Sequence, residues 1–163
     1  RLAPNRSAFH ENLGRAFRRK QMWKESEREL AEATRLAPNE TAAWTALGSV
    51  RAQLKKPEES AIAFRSALDL DPTNEEAAAG VAGGLSDAGK LPDAEAALVK
   101  ALDASPRSAL LWNNLGVIRV RRGTFPAAVD AFQKALTADP TFEPAKANLA
   151  RAEQLAALDR ASG

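Results

Sequence analysis

The pentapeptide RLAPN occupies residues 1–5 and returns at residues 35–39, an offset of 34. Working outward from it, prolines stand at Pro4, Pro38, Pro72, Pro106 and Pro140, every gap again 34. Other columns keep the same beat. Leu13, Leu47, Val81, Leu115 and Leu149 form one series, and Gly14, Gly48, Ala82, Gly116 and Ala150 follow them directly. Leu30, Phe64, Leu98 and Phe132 form a large apolar series, with Ala33, Ala67, Ala101 and Ala135 three residues later. A fixed period of this length, held in several columns at once, is the mark of a stacked repeat architecture.

Within each period the pattern is that of two helices. In residues 109–142, Leu111, Leu115 and Ile118, with Trp112, recur at helical spacing and stop at Arg122-Gly123. A second helix is expected from about Pro126, turning Ala128, Phe132, Ala135 and Leu136 inward and ending at Asp139-Pro140. Gly89 should break the third unit in the same way, while Gln21 and Lys55 take that place in the first two. Helix starts are expected at Asn39, at Thr73 with Glu76 in capping-box spacing, at Ser108, and at Thr141 before Pro144. The units therefore run 7–40, 41–74, 75–108 and 109–142, with 143–163 as a capping helix. Residues 1–6 read as the remnant of a preceding repeat, because the copy of RLAPN at Arg35 closes a second helix.

Composition narrows the function. The chain of 163 residues is 45% hydrophobic and 27% charged, with a net charge of +2. It has no cysteine or tyrosine and a single histidine, His10, so a thiolate metal site is excluded, a Ser-His-Asp system would have to be built on His10 alone, and a zinc site would need carboxylates for nearly all its ligands. No enzyme activity, cofactor or metal is expected. No apolar run approaches the ~20 residues of a membrane span, and the composition suits cytosol and periplasm alike. Alanine, 36 of 163 residues, favours close helix packing, and its abundance together with arginine points to a bacterial source.

These columns resemble the tetratricopeptide repeat (TPR) family. Its pattern W-x2-L-G-x2-Y…A-x3-F…P appears as Trp44-x2-Leu47-Gly48 and Trp112-x2-Leu115-Gly116, then Ala128-x3-Phe132 and Pro140. The pattern's tyrosine is replaced by Phe17, Arg51, Leu85 and Arg119, and its tryptophan by His10 and Ala78 in two units. The resemblance implies an all-α, right-handed α-solenoid of four helix-turn-helix units plus the C-terminal cap. His10 then fills a packing position. Trp23, Trp44 and Trp112 are expected in the core, Trp44→Ala costing about 3–5 kcal/mol.

The resemblance further implies a non-enzymatic scaffold that binds a peptide or segment of a partner protein in a concave groove lined by first helices. The residues expected there are Glu11, Asn12, Arg15 and Arg19, then Thr45, Ser49 and Gln53, then Asn113, Asn114, Val117 and Arg121, with Asn148 and Arg151 from the cap. Between them the third unit offers Ala79, Gly80, Gly83 and Asp87, and Ala42, Ala46, Ser49, Ala79, Gly80 and Gly83 leave a stretch of little side-chain bulk, read as a seat for a bulky partner group. The basic set with which some family members grip a C-terminal carboxylate is absent, its positions holding Glu11, Arg15, Ala46, Glu76 and Gly80. An asparagine ladder for peptide backbone, found in another mode, is interrupted here: Asn12, Ala46, Gly80, Asn114, Asn148. Basic residues crowd Arg15 to Lys24 and Arg119 to Arg122, which favours an acidic or extended protein partner. Nucleic acid is disfavoured, since no aromatic stacking series lies on that face. The alternative reading is a self-assembly module that forms homo-oligomers through the solenoid ends.

Overall fold

A computed structural model of the chain describes residues 3–162, with side chains from Arg6 to Ala161. Among the described residues every regular element is helical: α1 (Ala3–Arg19), α2 (Trp23–Leu36), α3 (Thr41–Gln53), α4 (Pro57–Leu70), α5 (Glu75–Asp87), α6 (Leu91–Ala104), α7 (Ala109–Arg121), α8 (Phe125–Ala138) and α9 (Glu143–Ser162). The helices group into two compact units, Arg1–Ala88 and Gly89–Gly163. The boundary falls between the two helices of the third period. Arg1 and Leu2, the start of the expected preceding-repeat remnant, lie outside the described residues. From Ala3 onward the backbone belongs to α1, and Pro4 sits in its first turn, where a missing N–H is tolerated.

The turn inside each helix pair is set by one residue with positive φ. Gly89 and Gly123 adopt φ of 75° and 76°, and Gln21 and Lys55 adopt 57° and 59° at the equivalent places. The sequence reading placed the breaks at these four positions. Glycine takes this conformation freely, whereas a side chain with a Cβ strains it. Lys55→Gly is therefore expected to stabilise the fold by about 0.5–1 kcal/mol, measured as a higher urea midpoint with unchanged m-value.

Helix starts differ in part from expectation. Ser108 caps α7, its Oγ accepting from the Leu111 N–H at 3.1 Å. For α5 the cap is Asn74, whose Oδ1 accepts from Ala77 N–H at 2.9 Å. Thr73 instead donates its N–H and hydroxyl to Asp71 Oδ1, at 2.9 and 2.6 Å. Thr141 does the same to Asp139, at 2.8 and 2.7 Å. In both turns the aspartate wins the threonine because two donors converge on one carboxylate oxygen. Glu40, not Asn39, stands before α3, with no side-chain cap.

Packing inside the α1–α2, α3–α4 and α7–α8 pairs depends on a glycine facing a large side chain. A Cβ at Gly14 would stand 2.7 Å from Leu30 Cγ, one at Gly48 2.8 Å from the Phe64 ring, and one at Gly116 2.5 Å from the Phe132 ring. Phe64 is pressed from its other side as well, since Gly80 of α5 lies against the same ring. Leu47, Leu115 and Phe132 are at most 1% exposed and mark the centres of the two cores. Two buried hydroxyls add to the pairing: Ser26 Oγ donates to Gly14 O at 2.7 Å and Ser60 Oγ to Gly48 O at 2.8 Å. Each satisfies itself on a carbonyl that already belongs to a helix, so burial leaves no orphan donor.

The tryptophans are not core residues in the expected sense. Trp23, Trp44 and Trp112 are half-buried. Trp44 Nε1 donates to Pro38 O at 2.8 Å and Trp112 Nε1 to Pro106 O at 2.9 Å, tying each first helix to the turn before it. The Lys134 ammonium lies over the Trp112 ring, 4.8 Å from its centroid. A side chain that keeps one face in water loses less on truncation, so Trp44→Ala should cost about 2–3 kcal/mol rather than the value for a buried ring.

Candidate functional site

The first-helix faces expected to bind a partner can be followed residue by residue. On α1, Glu11 and Arg15 pair with one another at 2.9 Å, and Asn12 and Arg19 are exposed. On α3, Thr45 is buried. Its hydroxyl donates to Thr41 O at 3.0 Å and accepts from Asn74 Nδ2 at 3.0 Å, so it braces α3 against the start of α5 and is withdrawn from the accessible face. Asn113 is likewise buried, its Oδ1 accepting from Asn148 Nδ2 at 2.9 Å. These two asparagines join α7 to α9, which engages the ladder position at Asn148 inside its own unit. Asn114 is half-buried, while Val117, Arg121 and Arg151 are exposed.

Where Ser49, Gln53, Gly80 and Gly83 come together, a cleft of about 480 Å³ opens between α3, the start of α4 and α5. Phe64 forms its floor, and Glu76 and Asp87 stand at successive ends of its α5 wall. Residues 76, 80, 83 and 87 fall on one helical stripe, so the two glycines lie between the carboxylates. Gly83 has open space around it, which makes the cleft accessible to a side chain or backbone from outside. Gly80 does not: its missing side chain is already compensated by Phe64. The bulk-free stretch thus has two causes, internal packing at Gly80 and open surface at Gly83. Ser49 Oγ donates to Glu76 Oε1 at 2.9 Å and fixes that carboxylate at the rim.

Of the basic groups that the sequence reading gathered, Arg15, Arg119 and Arg122 are engaged in ion pairs, and Arg51 and Lys56 join them. Glu27 on α2 accepts from Arg51 Nε at 3.3 Å and from Lys56 Nζ at 2.9 Å. Glu95 on α6 accepts from Arg119 Nε at 2.8 Å and also from Arg122. Arg51 and Arg119 each donate a further hydrogen bond to a backbone carbonyl eight residues on, at Glu59 and Ala127. The two clusters repeat at 68 residues, twice the basic period, and so do Asp71-Thr73 and Asp139-Thr141. Sequence reasoning missed this doubled period, although the Trp44/Trp112 and Phe64/Phe132 spacings carry it.

Burial works against the charge on Glu95, but the hydrogen bonds from Arg119 and Arg122 prevail and hold its carboxyl below the ordinary value. Glu29, 7% exposed, is lowered chiefly by the hydrogen bond from His10 Nδ1 at 2.8 Å, with burial opposing and Arg28 assisting. His10 is thus a hydrogen-bonding partner as well as a packing group. Asp71 and Asp139 are lowered by the donors of Thr73 and Thr141. A carboxyl with a lower pKa folded than unfolded contributes stability above the unfolded value, about 4, and loses it as pH falls through the folded value. Thermal stability should therefore drop below about pH 4.5, and Glu95→Gln, already without that charge, should drop less steeply over the same range.

Among the described residues no group of three or more His, Cys, Asp or Glu side chains could hold a metal ion, and no helix is long and apolar enough to cross a membrane.

The family model described as tetratricopeptide repeat matches residues 11–75 and 84–141. The chain belongs to the tetratricopeptide repeat family. Solved structures share the TPR fold. PilW, described as a widely conserved type IV pilus biogenesis factor, aligns at a TM-score of 0.80 and 25% identity over 93% of this chain and 70% of its own. YrrB, a TPR protein with an unusual peptide-binding site, aligns at 0.71 and 22% over 85% and 72%. MamA (41-end) from Desulfovibrio magneticus RS-1 aligns at 0.71 and 20% over 96% of each chain. A comparison with curated protein sequences returned no match.

Proposed function

We propose that this TPR array is a non-catalytic scaffold that holds an extended segment of a partner protein along its first-helix faces, with the cleft of α3 and α5 as the main seat. The observation that carries this is the cleft itself, about 480 Å³ with an aromatic floor, polar rim and an open glycine wall. That volume takes one large side chain with its flanking backbone, and apolar floors with a few placed polar groups are the usual makeup of recognition sites. YrrB supports the reading in that a protein of the same fold is described as having a peptide-binding site. Within the cleft both charge signs are present, Glu76 and Asp87 against Lys55. The expectation of an acidic partner rests instead on the exposed Arg19 and Lys20 of α1 and on Arg121 and Arg151.

Peptides selected from a random displayed library on the folded protein provide the test. Gly83→Trp fills the open wall without touching the core, and should weaken the selected peptides at least about tenfold, ~1.4 kcal/mol, with the thermal midpoint retained. Unchanged binding in that variant would remove the cleft from the proposal. The alternative, self-assembly, is favoured by one observation, the exposed Phe9 of α1. Sedimentation of the protein at rising concentration separates it, since a scaffold of the proposed kind stays monomeric.

A further inference from the structure

The side-chain polar atoms that line the cleft of α3 and α5 are mostly acceptors. Ser49 Oγ commits its proton to Glu76 Oε1 at 2.9 Å, and Ser60 Oγ commits its own to Gly48 O at 2.8 Å. Both hydroxyls then offer lone pairs alone. The carboxylates of Glu76 and Asp87 accept, and Pro57 has no N–H to give. Two donors remain, the exposed Gln53 amide and Lys55 ammonium. Lys55 belongs to the turn between α3 and α4, and the residues after it meet α5 at Gly84, where an added Cβ would stand 3.7 Å from Pro57 O. Glu76 lies at the other end of that wall, about 12 Å from Gly84 along the helix.

The Ser49–Glu76 pair is not part of what the doubled period repeats. The ion pairs of Glu27 and Glu95 recur, as do the turns at Asp71 and Asp139, and they join helices or shape connections. One doubled period on from Ser49, Glu76, Gly80 and Gly83 stand Val117, Pro144, Asn148 and Arg151. Neither the hydroxyl–carboxylate pair nor the glycine wall is kept there. Since α7 and α9 pack without them, this repeat fold does not need a carboxylate at position 76.

We propose that the cleft selects an arginine side chain of the partner segment, its guanidinium on Glu76 and Ser49 and its methylene stem along Gly80 and Gly83 above Phe64. This rests on the reading of the cleft as the seat of a partner segment. Arginine has five N–H donors and no acceptor, the complement of this lining. Its planar fork can bond the carboxylate and the neighbouring hydroxyl together. An apolar side chain of similar size would strip water from Glu76 and return no hydrogen bond, and an acidic one would add a like charge. Lysine carries the charge as a compact ammonium without the fork. The acidic character expected of the partner then belongs to its residues outside the cleft.

Random peptides displayed and selected on the folded protein should share an arginine, and peptides selected on Glu76→Gln should not. For the tightest wild-type peptide, norleucine in place of that arginine, or Glu76→Gln in the protein, should each weaken binding at least about tenfold by fluorescence anisotropy. The two changes made together should weaken it little more than either alone, because they remove one interaction. Glutamine keeps an acceptor for Ser49 at an exposed position, so the variant should melt with the wild type. Gly83→Trp separates the two ways of failing. If it weakens the peptide while the selected pool shares no arginine, or the two losses simply add, or lysine binds as well as arginine, the cleft remains the seat and the arginine preference is overturned. If Gly83→Trp leaves binding unchanged, the cleft and the arginine fall together.

Discussion

Phe64→Ala is expected to destabilise the protein by about 3–5 kcal/mol, the range for removing a buried aromatic ring, read as a fall in the urea midpoint. The ring is 4% exposed and stands between Gly48 of α3 and Gly80 of α5. The two walls at Gly48 and Gly80 have no side chain to move into the space. The substitution therefore leaves a cavity next to the cleft whose floor it removes, and partner binding should fall with stability. Phe64→Leu, which restores most of the volume as Leu30 does in the first pair, should recover more than half of the loss, as volume-conserving exchanges cost less than about 1.5 kcal/mol.

The second large effect comes from the opposite change. Gly80→Ala adds one methyl group inside the van der Waals envelope of the Phe64 ring, and the ring cannot swing away because Gly48 closes the other side. Overpacking of this kind costs about 1–3 kcal/mol, against which alanine's helix propensity returns about 1 kcal/mol. Gly83→Ala, one turn further on α5, meets nothing within 4 Å and should stabilise by about 0.5–1 kcal/mol. Two glycines three residues apart are thus expected to respond with opposite sign. Thermal melts of the two single variants check this directly, and a rise in both would show that α5 is not pressed on Phe64.

The helix pairs could be read from the sequence because the period is carried by residues whose role is local and repeated. A glycine opposite a large apolar residue recurs in three of the four periods, and a positive-φ turn in all four. The four turn positions, including the non-glycines Gln21 and Lys55, followed from register alone. Of the caps, Ser108 did, whereas Thr73 and Thr141 did not, because a nearby aspartate takes their donors. The tryptophans misled for a related reason. Their position in the pattern says that they pack, but not that the indole N–H reaches back to a carbonyl and holds the ring at the surface.

The candidate site was legible in outline only. Ser49, Gln53, Gly83 and Asp87 do share a cleft, as their common face requires. Thr45 and Asn113 share the same helical face, yet they are used up between neighbouring first helices. A helical wheel assigns a face to each residue. It does not say how far the next helix overlaps that face, and the overlap decides which polar residue becomes a brace and which stays open. Likewise, the basic character of Arg119 and Arg122 was visible, but their partner Glu95 lies 24 and 27 residues away on another helix.

The central claim, that the α3–α5 face receives a partner segment, is tested most directly by an amide NMR titration with a library-selected peptide. Chemical-shift changes should concentrate at Ser49, Gln53, Gly80, Gly83 and Gly84, with the second-helix residues Ile62 and Val99 unmoved. Changes centred on the exposed faces of α4 and α6, with the cleft glycines silent, would contradict the account.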